Sequence, residues 1–154
     1  AEDFAAAKPL LETMGKKILY VGPMGHGSVL KLATNVVAAG IVALMGEALT
    51  LATKAGLDPT MVVEVLAERS PLIGRAGPRV LSGDFSPNFP LRLAAKDVRL
   101  ALDAARVVGA PMFAAAAVGQ VQSAALAKGL GDFDQSVMIR VLEELAGVVS
   151  RRAV

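Results

Sequence analysis

Residues 28–56 read SVLKLATNVVAAGIVALMGEALTLATKAG, a stretch too long for a strand and apolar almost throughout. From Val36 to Gly46, between Asn35 and Glu47, it carries no charge. A run of this kind suits a helix with most of its surface buried, and Gly56 supplies a common helix stop. The spacing predicts one long helix from about Ser28 to Ala55. Its uncharged part is well short of the ~20 residues that cross a bilayer, so a core helix is expected. Glu47, inside the apolar run, reads as a helix-pairing or interface group.

Downstream, Asp58 followed by Pro59 is a strong helix start: an acceptor at the cap, then a ring with no N–H to satisfy. That helix is expected to continue through Glu68. The segment Ser70 to Asn88 is interrupted by Pro71, Gly74, Gly77, Pro78, Gly83 and Pro87. It reads as a long irregular connection with one short helix around Ala76–Leu81. Three more helices follow, about Leu91–Val108, Pro111–Lys128 and Asp134–Val149, separated by Gly or Gly-Asp. Upstream, Phe4, Ala7, Leu10, Leu11 and Met14 recur at helical spacing, giving a helix over Glu2–Met14 that Gly15 closes. Ile18–Val21 then reads as a short buried strand. A strand is not stable alone, and nothing later in the chain offers it a partner. The sheet is therefore expected upstream of Ala1, with the chain a fragment or truncation. The fold class expected is all-α, a mostly antiparallel bundle round one long central helix, with residues 1–22 left over from another domain and 23–154 forming the helical one.

Composition narrows the function. Hydrophobic residues make up 54% and charged ones 19%, an excess that points to a packed core and to burial against another subunit or domain. There is no Cys and a single His, which excludes thiolate chemistry and leaves no zinc set. The formal charge of +2 is scattered rather than striped, so no nucleic-acid partner is expected. The acidic opening, Glu2 and Asp3, does not resemble a signal peptide; a soluble, cytoplasmic protein with no membrane partner is expected.

The candidate chemistry lies just before and inside the long helix. Gly22, Gly25 and Gly27 stand between the expected strand and helix, but in the order G-x-x-G-x-G, the reverse of the dinucleotide fingerprint. They read as an interdomain turn. Amides at this helix start, Gly27 among them, would suit a substrate carboxylate, helped by the helix dipole. His26 reads as an exposed turn residue. Lys31 and Asn35, four residues apart, share a helix face. Lys31 has two readings. It is a surface lysine with its stem on apolar atoms, or a desolvated one whose pKa is lowered by burial and by the helix N-terminus and which transfers protons.

The stretch Gly22-Pro-Met-Gly-His-Gly-Ser-Val-Leu-Lys31-Leu-Ala-Thr-Asn35 resembles the G-x-G-x-x-x-K-x-x-N-N segment of the β-hydroxyacid dehydrogenases. Phe89-Pro-Leu-Arg-Leu-Ala-Ala-Lys96-Asp97-Val98 is similar to that family's F-x-L-x-L-x-x-K-D-L. Lys8 to Gly22 looks like the last helix and strand of the family's dinucleotide-binding domain. The resemblance implies an NAD(P)-dependent oxidoreductase that interconverts a small 3-hydroxyacid and its semialdehyde or keto form. It implies Lys31 as catalytic acid/base, with Asn35, Gly27, Phe89 and Asp97 at the substrate and Lys96 at the cofactor. NAD or NADP would be held mainly by a Rossmann domain that this chain lacks, so the chain alone is expected to be inactive. The family's second Asn is replaced by Thr34. A homodimer or higher homo-oligomer is implied as well. Two other readings are a non-catalytic helical dimerisation module and an imine reductase-like enzyme; retention of Lys31 argues against both.

Overall fold

The computed structural model describes residues 2–151, and the chain divides into two compact units, Ala1–Lys31 and Leu32–Val154. Among the described residues all regular structure is helical, with seven α-helices, one 3-10 turn and no strand.

In the N-terminal unit, α1 spans Glu2–Met14, as its apolar spacing predicts. The Phe4 ring packs at 5.1 Å on Tyr20, and Lys8 pairs with Glu12 one turn on. None of the described residues of this unit is buried. The expected strand is a correction. Residues 18–21 have no regular structure, and Leu19, Tyr20 and Val21 are exposed. No other segment among the described residues lends them a ladder of hydrogen bonds, which a strand requires.

The helix α2 runs from His26 to Lys54, beginning two residues before the predicted start. His26 is its exposed first residue, with Nδ1 3.3 Å from the Val21 carbonyl oxygen. Gly22 takes a φ of +113°, and a Cβ there would stand 2.6 Å from the His26 ring, so this turn needs glycine on both counts. An 18-residue window of α2 reaches a mean hydropathy of 1.9 with 33% of it buried, so length and composition alone would allow a span. The exposed carboxylate of Glu47 breaks that stretch, and its inward residues feed a core.

In the C-terminal unit, α2 contributes Val42, Ala43, Met45 and Leu49 to a cluster shared with all the later helices. The backbone of α2 is close to α7 (Ile139–Ala146): a Cβ on Gly46 would meet Leu142 at 3.1 Å. The helix α3 (Pro59–Ala67) opens as predicted, the Asp58 side chain accepting from the Thr60 amide. Next, α4 spans Pro71–Ser82, twice the length expected. Its breakers are absorbed rather than obeyed. Pro71 occupies the first turn, where no N–H is needed. Gly77 lets Val63 of α3 approach so closely that a Cβ would stand 2.5 Å from it.

As predicted, α5 spans Leu91–Val108; α6 spans Phe113–Ala127. The last predicted helix is split. Gln135–Met138 is a 3-10 turn capped by Asp134, and α7 follows and stops at Gly147, which adopts a left-handed φ. The connection 83–90 has no helix of its own, yet backbone bonds tie it to the segment before and into the 3-10 turn. Asp134 donates its amide to the Phe85 carbonyl, Gln135 to that of Phe89, and Leu91 to that of Phe133. Pro90 and Asp134 form an antiparallel bridge. Residues 85–91 are thereby stitched along 133–135.

Candidate functional site

The stitched connection delivers Phe89, half-buried, to the start of α5, and two turns into that helix come Lys96 and Asp97. Their neighbours on α5 separate by face. Leu91, Ala94, Val98 and Ala101 point into the core, while Lys96 and Arg99 are exposed. Asp97 falls on the buried side, its side chain only 3% exposed. A carboxylate there needs partners. Its Oδ2 accepts from Asn35 Nδ2 at 2.5 Å, and its Oδ1 lies 3.0 Å from Lys96 Nζ. The bond from Asp97 also fixes which way Asn35 points. With its amide nitrogen turned to the carboxylate, its carbonyl oxygen is the end left to accept.

Three of the expected site residues, Asn35, Lys96 and Asp97, are therefore one set within the C-terminal unit, joined by a hydrogen bond on one Asp97 oxygen and an ion pair on the other. The ammonium of Lys96 is half-exposed and anchored by a buried carboxylate, which suits contact with an anionic or carbonyl group of a ligand. Lys31 and Gly27 belong to the N-terminal unit. Gly27 is the second residue of α2, and a Cβ there would meet only Val21, at 3.8 Å. Lys31 is exposed on α2. No His/Cys/Asp/Glu cluster able to hold a metal occurs among the described residues.

Spacing alone missed Asp134. Its Oδ1 accepts from the Ser136 amide and hydroxyl, at 3.0 and 2.7 Å, and its Oδ2 from the amides of Asn88 and Phe89, at 3.2 and 3.1 Å. The sequence signal was only Asp134 two residues before Ser136, a capping pattern that says nothing of the distant loop.

The family model for the NAD-binding region of NADP-dependent 3-hydroxyisobutyrate dehydrogenase matches residues 25–142, from the glycine turn into α7. The chain belongs to this family. Among curated proteins of the kind, it is 34% identical over 143 residues to glyoxylate/succinic semialdehyde reductase 2, chloroplastic, of Arabidopsis thaliana, covering 91% of the chain and 40% of that protein. It is 32% identical over 146 residues to 2-hydroxy-3-oxopropionate reductase of Escherichia coli, covering 93% and 50%. The crystal structure of 3-hydroxyisobutyrate dehydrogenase from Salmonella typhimurium superposes with a TM-score of 0.83 at 25% identity, over 90% of this chain and 50% of that one. The chain thus spans about half the length of the relatives it matches. For a 3-hydroxyisobutyrate dehydrogenase-family chain, an all-helical bundle round one long helix is the architecture found.

Proposed function

We propose that this chain is the helical half of an NAD(P)-dependent oxidoreductase that interconverts a small 3-hydroxyacid and its semialdehyde or keto form. The observation that carries the reading is the Asn35–Asp97–Lys96 set, assembled from two segments far apart in sequence that both fall within the family match. In this reading Lys31 is the general acid/base. It takes the substrate hydroxyl proton on oxidation and returns it on reduction. Asn35, held by Asp97, offers its carbonyl oxygen to the hydroxyl. Gly27 at the start of α2 offers a backbone amide to the carboxylate, and Phe89 forms the apolar wall.

The nicotinamide, when bound, exchanges a hydride with the substrate carbon. Lys96 is the residue of this chain that would contact it, and most of its binding would come from a Rossmann domain on the same polypeptide. That domain would also enclose the exposed Lys31, and exclusion of water is what makes a lysine effective at proton transfer. The relatives of about twice this length support that arrangement. The remaining partner is a second copy of the chain. Val37, Leu44 and Leu51 recur every seven residues on α2 and are 61%, 64% and 72% exposed, an unpartnered apolar stripe. A monomeric mass at all micromolar concentrations would remove the dimer from the proposal.

The test of function is hydride transfer by a polypeptide carrying both halves, against a panel of 3-hydroxyacids and semialdehydes with either cofactor. One substrate should turn over, and Lys31→Ala should lose about 10²–10⁴-fold, the worth of an acid/base. The isolated 154-residue chain should give no turnover. A Lys31→Ala variant as fast as the parent would reduce the chain to a dimerisation module.

A further inference from the structure

Asp134 is a buried carboxylate to which the chemistry above gives no role. It stands far from Lys96 and Asp97 in sequence, and its relative exposure is 7%. Its two oxygens do separate work. Oδ1 caps the 3-10 turn through Ser136, whereas Oδ2 crosses to the other segment and accepts from two consecutive amides, those of Asn88 and Phe89. Bonds from backbone N–H to an ionised carboxylate are about twice as strong as neutral ones, and two consecutive donors on one oxygen fix a peptide plane rather than a single atom. Arg79 reinforces the same loop: Nη1 lies 3.9 Å from Asp134 Oδ2, and the guanidinium also donates to the Ser86 carbonyl.

We propose that Asp134 is a positioning residue of the site, setting the place of Phe89 and with it the fit of the substrate. The inference rests on the oxidoreductase reading. It separates Phe89 from the rest of the site on structural grounds. Lys96 and Asp97 ride on α5, whose first turn is held independently by the Leu91 and Arg92 amides on the carbonyls of Phe133 and Gly131. Loss of the Asp134 carboxylate therefore releases the Asn88 and Phe89 amides, letting Phe89 pivot about the bond its carbonyl accepts from Gln135, and leaves α5 in place. The substrate constant should change and the cofactor constant should not, a split that general loosening of the fold does not produce.

The experiment measures KM for substrate, KM for cofactor, kcat and Tm on the polypeptide carrying both halves. Its variants are Asp134→Asn, Asp134→Ser, Glu143→Gln and Lys31→Ala. Asp134→Asn keeps one carbonyl oxygen for two sets of donors. Asp134→Ser keeps a cap for the 3-10 turn while withdrawing the oxygen from Asn88 and Phe89, so it preserves a folded sample if the Asn variant does not. Glu143 is the matched control, a carboxylate 4% exposed that accepts from the Ser150 amide at 2.7 Å and plays no part in the site. Both Asp134 variants should lower kcat/KM by about 10²-fold, the loss that follows a misplacement of roughly 1 Å, chiefly through substrate KM and with cofactor KM unchanged. Glu143→Gln should lower Tm and leave all three constants at the parent values. If the Asp134 variants lose Tm as Glu143→Gln does and keep the parent KM for substrate, the clamp is structural only and the proposal falls. If Lys31→Ala turns over like the parent, the oxidoreductase reading itself has failed, whatever the Asp134 variants do.

Discussion

The two units of this chain are both rich in apolar side chains, and only one of them has a core. In the N-terminal unit Leu10, Met14 and Leu19 are 67%, 78% and 59% exposed; in the C-terminal unit Leu49, Val80 and Leu91 are fully buried. Both units contain helices that their apolar spacing predicts. The difference shows that periodicity decides which backbone forms and which face is apolar, while burial depends on what is available to cover that face. In α1 the local terms, including the Lys8–Glu12 pair and Phe4 on Tyr20, accompany a helix that buries none of its residues.

The largest expected effect tests that contrast directly. In the isolated chain, Leu49→Ala should lower unfolding free energy by about 2–5 kcal/mol, through lost burial plus the cavity left behind. The same truncation at Leu10 should stay within about 0.5 kcal/mol, the range for exposed positions. Denaturant titration of the two variants decides it, and equal losses would mean that α1 is packed in solution as firmly as α2. Adding the dinucleotide-binding half sharpens the comparison. If that half covers the α1 face, the cost of Leu10→Ala rises while that of Leu49→Ala does not.

A smaller effect separates two glycines. At Gly77 a Cβ would stand 2.5 Å from Val63, a buried β-branched residue with no freedom to retreat. Gly77→Ala should cost about 1–3 kcal/mol by forcing α3 from α4. At Gly15 the nearest atom is the tip of Ile18, at 3.3 Å in a unit with none of its described residues buried, and it can swing away. Gly15→Ala should leave the denaturation midpoint where it was. Of the same order, Asp58→Ala should cost about 1 kcal/mol by removing the cap on the Thr60 amide.

Gly77 also marks where sequence reading failed and why. Helices marked by apolar spacing, a glycine stop or a clear start were legible: α1 and α5 to the residue, and α3 from Asp58-Pro59. What was illegible is α4, because Pro71, Gly74, Gly77 and Pro78 count as breakers until the neighbouring helix is known. Packing on Val63 turns one of those glycines from a liability into a contact. The final helix was misread for the opposite reason, since a continuous apolar period conceals a change from 3-10 to α geometry. At the candidate site, the residue types were legible through family motifs, whereas the bond from Asn35 to Asp97 and the reach of Asp134 to the Phe89 amide join segments that no local pattern connects.

The smallest expected effect concerns Asp84, whose carboxylate folds the connection carrying Phe89 from the solvent side. The Ser86 hydroxyl donates to Oδ1, Arg79 lies at 3.2 Å from Oδ2, and the Ser86 amide donates to Oδ1 at 2.9 Å. Together, with the Ser86 hydroxyl foremost, they hold its pKa well below the ordinary value of 3.8. A carboxylate whose pKa is lower in the folded state stabilises the fold at any pH above the unfolded value, and that contribution drains away as pH falls below it. Because Asp84 is open to solvent, screening keeps the contribution small. Asp84→Asn should therefore shift the urea midpoint slightly at about pH 6 and less as pH falls below the unfolded value of 3.8, where the unfolded chain takes up its proton first. The two curves converge only as pH falls through the lowered folded value. Convergence would locate an acid-sensitive contact in the same connection that Asp134 clamps from within. Parallel curves over that range would mean that the Ser86 and Arg79 contacts do not persist in solution, leaving the buried Asp134 oxygen to hold the Phe89 loop alone.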